Sequence, residues 1–285
     1  VELAGAFAEM KKDILPRDYP RMNFNDLDII LVSSTEKPLA VMSPESQENS
    51  EKYLKDLGVK FISDDRVIDY DGDKVFLKSG KIIPSNNVIW AAGVTGNLIA
   101  GLEETSVKNN RYIVDRYNKI KGFDDIFAIG DIIKTPALAH TASAEAKHAV
   151  EIISGKTLAP INYETNPSAI YTYPEVASVG LTEEKLKEKL IPFKVAKFPF
   201  APMAKAKIEE ATDGFIKILY DPQYEEILGV HIIGAKATEL IAEFVLGKML
   251  EATVHEFGLA IHPHPTLSET VMEAAHVAED GPIHM

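Results

Sequence analysis

The chain has 285 residues, 46% hydrophobic and 26% charged, enough apolar material for two cores, which excludes wholesale disorder. Acidic residues outnumber basic ones 43 to 30, and a net charge of −13 without a visible basic patch argues against nucleic-acid binding. Cysteine is absent, which excludes disulfides, thiolate metal sites and a redox dithiol in these residues and fits a reducing, cytoplasmic compartment. No apolar run reaches 18 residues, so no transmembrane segment is expected.

Leu3, Phe7, Met10 and Ile14 recur at helical spacing and predict an opening amphipathic helix. That helix has no capping residue before it, which implies that sequence precedes Val1. The apolar run from Leu27 to Val32 predicts a strand. Ser43 followed by Pro44 predicts an N-cap and first helical position, with the helix stopping at Gly58. Val59–Ile62 predicts a short strand, and Asp71-Gly72 between alternating segments predicts a hairpin over Val67–Leu77. Val88–Ala92 and Ile126–Ile129 read as buried strands ending at Gly93 and at Gly130-Asp131. Strands alternating with a helix predict a three-layer α/β domain with a largely parallel sheet.

A helix is expected from Thr141 to Ser154, and a domain boundary at 155–165. Beyond it, Ala169–Tyr173, Glu175–Leu181, Phe193–Phe200, Phe215–Tyr220 and Ile227–Ile233 read as strands. Thr182–Leu190, Ala237–Leu250 and Thr266–Ala278 read as helices. This order predicts an α+β domain with an antiparallel sheet.

Three segments carry chemistry. Gly130-Asp131 ends a predicted strand, where ligands of open α/β sheets bind, although Gly-Asp is also ordinary turn chemistry. His262-Pro263-His264-Pro265-Thr266-Leu267-Ser268-Glu269 joins imidazoles to a carboxylate. Glu269 reads either as N3 of a capping box from Thr266 or as the orienting partner of a histidine general base. Metal binding by His262 and His264 lacks a third ligand. Trp90-Ala91-Ala92-Gly93 offers small residues where backbone can approach a nucleotide, or simply leads a strand into a loop. No complete G-x-G-x-x-G occurs.

These stretches resemble the two-dinucleotide-binding flavoproteins. Phe127–Asp131, Pro136–His140, Tyr171–Gly180, Lys197–Phe200, Asp213–Leu219 and His262–Glu269, in that order over residues 126–285, resemble the dihydrolipoyl dehydrogenase family. Val1–Met10, Asp69–Gly72 and Ile89–Asn97 resemble the type II NADH:quinone dehydrogenases. The chain thus reads as an N-terminally incomplete mosaic.

The resemblance implies FAD and NAD as cofactors and a division into an NAD-binding-like part (1–120), an FAD-contacting segment (121–158) and a dimerisation domain (159–285). It implies that Gly130 and Asp131 meet the FAD ribitol or diphosphate, and that Ala137, Leu138, Ala139 and His140 line the flavin. Val1, Glu2, Val67 and Gly93 belong to the implied NAD site, and Ser33 stands where these families carry an acidic residue for the ribose. His264 is the implied base that activates a dithiol, oriented by Glu269. A homodimer and membership of a 2-oxo acid dehydrogenase complex follow as implied partners. The implied activity is oxidation of dihydrolipoamide through FAD to NAD. The alternatives are quinone reduction by NADH and a non-catalytic dimerisation module. Without cysteines the isolated chain is expected to be inactive toward dithiols.

Overall fold

A computed structural model describes residues 1–102 and 104–284. The chain forms two compact units, one of Val1–Asn87 with Pro167–Met285 and one of Val88–Asn166.

In the first stretch of the larger unit, helix α1 (Glu2–Glu9) buries Ala4, Gly5 and Ala8. The predicted stripe Leu3, Phe7, Met10 and Ile14 is exposed instead. Ala4 and Ala8 sit against Leu54 and Val59, and such a close approach favours short side chains over the longest apolar ones. The helical period also breaks at a π-turn, Met10–Ile14. Helix α2 (Pro44–Asp56) starts as expected, the Ser43 hydroxyl accepting from the Ser46 N–H.

Strand β1 (Ile30–Val32) pairs in parallel with β2 (Lys60–Ile62). Side chains alternate across this pair. Ile29, Leu31 and Val59 face the helices, whereas Ile30, Val32 and Ile62 face Val67, Val75, Leu77 and Ile83. The latter belong to an antiparallel meander of β3 (Val67–Tyr70), β4 (Lys74–Leu77) and β5 (Ile82–Pro84). The hairpin at Asp71-Gly72 forms, with Gly72 at φ 107° and the Asp71 carboxylate accepting from the Asp73 and Lys74 N–H groups. Three layers are therefore present, but among the described residues the parallel sheet has only two strands.

In the second unit the expectation at Val88–Ala92 is overturned. The segment is irregular and exposed, with Trp90 67% accessible. Ile126–Ile129 is extended but makes only a bridge from Phe127 to Lys119. It is buried through Ala128 against Tyr112, Ile120 and Ile133. An apolar run becomes a strand only where another strand offers carbonyls to its N–H groups and N–H groups to its carbonyls, and among the described residues no ladder forms at either place. Helix α3 (Ala139–Ile153) closes this unit.

The second stretch of the larger unit carries a five-stranded antiparallel sheet. Its strands are β6 (Ser168–Ile170), β7 (Glu175–Gly180), β8 (Lys194–Pro199), β9 (Gly214–Tyr220) and β10 (Ile227–Gly234), in the order β8-β9-β10-β7-β6. All five were expected from sequence. Short helices α4 (Glu183–Glu188) and α5 (Ala204–Ile208) lie between these strands in the chain. One face packs Phe198, Ile216, Ile218, Val230 and Ile232 against α6 (Ala237–Met249), α7 (Val254–Leu259) and α8 (Glu269–Ala278). Gly247 lets α6 touch Phe257, whose ring would lie 2.2 Å from any Cβ there. The other face carries a polar row set by the register Lys197–Lys217–His231–Ser178. No described helix is long and apolar enough to cross a membrane.

Candidate functional site

The segment His262–Glu269 places an imidazole against a carboxylate. Helix α8 begins at Glu269, so the carboxylate sits on the first turn, 7% exposed, while the imidazole of His264 is 67% exposed. His264 Nδ1 donates to Glu269 Oε1 at 2.9 Å. The second oxygen, Oε2, accepts from the Thr266 N–H at 2.8 Å. The expected capping box is thus half formed. The Thr266 hydroxyl donates to the Pro263 carbonyl rather than capping the helix, and Ser268 is the N-cap. Burial raises the Glu269 pKa, but the Thr266 N–H and His264 outweigh it and hold the carboxyl below its ordinary range. This bonding assigns the proton to Nδ1 and leaves the His264 Nε2 lone pair open to solvent, the arrangement of a general base.

His262 and His264 do not converge. His262 faces the Ala260 carbonyl and Glu243 on α6 instead. A third imidazole, His284, meets the fully buried Glu273 at 2.7 Å, and the N–H groups of Ile283 and His284 donate to the same carboxylate. The sequence reading missed Glu243 and Glu273. For Glu273 helical spacing carried a signal, since it lies four residues after the anticipated Glu269 on one face.

In the second unit Gly130 and Asp131 occupy a 3₁₀ turn, with Gly130 at φ 68°. A Cβ at Gly130 would come within 3.2 Å of Ala142 on α3, so the left-handed backbone favours glycine and a side chain there would be tight. Its N–H donates to the buried Glu145 at 2.7 Å, and the Tyr163 hydroxyl donates to the other Glu145 oxygen at 2.9 Å. Burial and this carboxylate push Tyr163 up to about 12. The Asp131 carbonyl accepts from Arg111 Nε, while the Asp131 side chain is exposed. Glu145 was not anticipated. It falls on the buried stripe Thr141, Glu145, His148 and Ala149, where a charge signals a fixed partner.

Ala137, Ala139 and His140 are exposed and Leu138 half-buried where α3 begins, and Leu138 gives that helix no side-chain cap. Glu2 is exposed and accepts from the Tyr171 N–H at 2.7 Å. Half-buried Val67 spends its side chain in the core with Val75 and Leu77. Exposed Gly93 has φ 98° and open space around it.

Two family models match the sequence. Pyridine nucleotide-disulphide oxidoreductase covers residues 1–146, and the dimerisation domain of the same name covers residues 166–275. Dihydrolipoyl dehydrogenase of Bacillus subtilis is 36% identical over 273 residues, 90% of this chain and 56% of that protein. The mitochondrial dihydrolipoyl dehydrogenase of Caenorhabditis elegans is 47% identical over 156 residues, 55% of this chain and 31% of that protein. Among solved structures, LpdA from Mycobacterium tuberculosis matches with TM-score 0.84 at 22% identity, covering 96% of this chain and 58% of that one. The HOCl-induced flavoprotein disulfide reductase RclA from Escherichia coli, as its Cu(II) complex, matches with TM-score 0.81 at 18% identity, over 97% and 61%. These structural likenesses concern the fold alone. The chain spans about half the length of the curated relatives it matches.

Proposed function

This chain belongs to the pyridine nucleotide-disulphide oxidoreductase family, and we propose that it is part of a dihydrolipoyl dehydrogenase-type oxidoreductase in which His264 is the base for the dithiol. The observation that carries the reading is the Glu269–His264 pair, with Nδ1 spent on the carboxylate and Nε2 open. A base so placed takes a thiol proton and returns it, and the carboxylate stabilises the imidazolium formed. The Thr266 N–H steadies Glu269 from the other side, so the ring plane stays fixed through the transfer.

The turn at Gly130-Asp131 fits a share of an FAD site. Its backbone conformation is held by buried Glu145, a Cβ would crowd Ala142, and Asp131 is free to meet sugar or ribitol hydroxyls. Ala137, Leu138, Ala139 and His140 supply the surface assigned to the flavin where α3 begins. Glu2, Val67 and Gly93 are assigned to NAD, Val67 through its backbone only, since its side chain is in the core. FAD, when bound, supplies the two-electron acceptor and NAD the hydride acceptor. Residues 1–120, 121–158 and 159–285 serve nucleotide binding, flavin contact and dimerisation.

Exposed Leu246, Met249, Leu250, Leu259 and Ile261, the last 98% accessible, support a homodimer face. A 2-oxo acid dehydrogenase complex in a reducing, cytoplasmic setting fits the relatives' chemistry and the cysteine-free composition. Quinone reduction is less well supported, because one dihydrolipoyl dehydrogenase aligns along 90% of the chain.

The test uses a chain joined to a flavin domain that carries the redox cysteines. His264→Gln should slow thiol-to-flavin electron transfer about 10²–10⁴-fold at unchanged flavin content. Turnover at the parent rate would remove His264 from the reaction.

A further inference from the structure

The loop bearing His264 is anchored at two points, and one of them lies outside the His264–Glu269 pair. His262 is buried, with 6% of its side chain exposed, and both ring nitrogens are engaged. Nδ1 meets the Ala260 carbonyl at 2.9 Å, at the end of α7, and Nε2 meets Glu243 Oε1 on α6 at 3.0 Å. Two residues further on, His264 leans on α8 through Glu269. Residues 260–269 therefore tie the ends or faces of three helices together.

Only Pro263 separates the two histidines. Its ring locks φ, and two residues span at most about 7 Å, so fixing His262 leaves the His264 backbone little room. Among the described residues, the exposed ring of His264 has one protein hydrogen bond from its side chain, the one to Glu269. Without a fixed backbone, that single contact competes with solvent for the imidazole.

We propose that His262 and Glu243 are a positioning pair that holds His264 Nδ1 on Glu269 and keeps Nε2 as the open base. This deepens the reading of His264 as base and rests on it. Neither residue touches the atoms that exchange protons with a thiol. They act through the loop.

The test reads the imidazole of His264 by nitrogen-15 NMR on the whole chain, at a pH where the ring is neutral. The parent should show a biased Nδ1–H tautomer. In Glu243→Ala and His262→Phe the His264 nitrogen shifts should move toward those of a solvent-averaged imidazole, while amide signals of Ile216, Ile218 and Ile232 stay in place. An unchanged His264 signature in folded Glu243→Ala overturns the proposal. Glu243 is 35% exposed, so its truncation is tolerable even if His262→Phe does not fold. Glu269→Gln separates the two claims. A His264 signature indifferent to Glu269→Gln removes the base reading and the positioning pair with it. A response to Glu269→Gln with none to Glu243→Ala removes the positioning pair alone.

Discussion

The five-stranded sheet and the segment 88–132 have similar apolar runs and opposite fates. Ile216, Ile218 and Ile232 are wholly buried in a sheet whose central strands are paired on both sides. Val88, Ile89 and Trp90 are exposed and pair with nothing in the described structure. Apolar composition is the same requirement in both, yet among the described residues Val88–Ala92 finds no neighbouring strand, while the sheet strands do. Burial and pairing are separate conditions, and a strand needs both.

The largest test of this contrast is Phe244→Ala against Trp90→Ala. Phe244 is fully buried and stacks on Phe257 at 4.8 Å. Its truncation should cost about 3–5 kcal/mol through lost transfer energy and the cavity left. Trp90→Ala should change stability by about 0.5 kcal/mol or less. Urea unfolding of both variants decides it, and equal losses would mean that Trp90 is packed in solution.

The polar row on the sheet's other face supplies the next test. His231 is buried beside Lys217, with Nε2 on the Leu181 carbonyl, and burial pushes it from 6.5 down to about 4. A depressed folded pKa contributes stability that is complete above about pH 6.5 and drains away as pH falls toward 4. That fall corresponds to about 3 kcal/mol. Urea midpoints should drop across this window in the parent and drop less in His231→Phe. Parallel pH profiles would show that protons enter elsewhere.

Lys217 bridges Glu45 on α2 and Glu183 beyond β7 at 3.0 and 3.1 Å. Burial lowers its pKa, but the two carboxylates outweigh burial and hold it above the ordinary lysine value. Lys217→Met leaves both carboxylates without this partner. Each is roughly a third or less exposed, and Glu45 keeps Lys197, so the cost should be about 1–3 kcal/mol, below that of a fully buried pair. Thermal unfolding measures it, and a stabilised variant would show that desolvation outweighs pairing here.

The smallest effect is at the surface. Glu279 raises the pKa of exposed His255. A raised pKa contributes stability below the unfolded value that is lost as pH rises through the folded one. His255→Gln should barely move the unfolding midpoint at pH 6 and not at all at pH 9. A large shift at either pH would mean that the pair holds α7 to α8.

Much of the C-terminal architecture was legible because its signals are local. Apolar runs marked the sheet strands, Ser43-Pro44 marked a helix start, and Asp71-Gly72 marked a hairpin. The His264–Glu269 pairing was also legible, since five residues and a helix start bring the two together. By contrast, the burial of Ala4 and Ala8 rather than Leu3 and Phe7 depends on how closely Leu54 and Val59 approach. The unpaired state of Val88–Ala92 depends on which strands are available. The anchoring of Gly130 by Glu145, and of His262 by Glu243, joins residues 15 and 19 apart. Periodicity and turn chemistry are properties of a few consecutive residues, so the sequence by itself determined them. Partner choice for a buried polar group is a property of what the folded chain brings within 3 Å, and only the tertiary structure decided that.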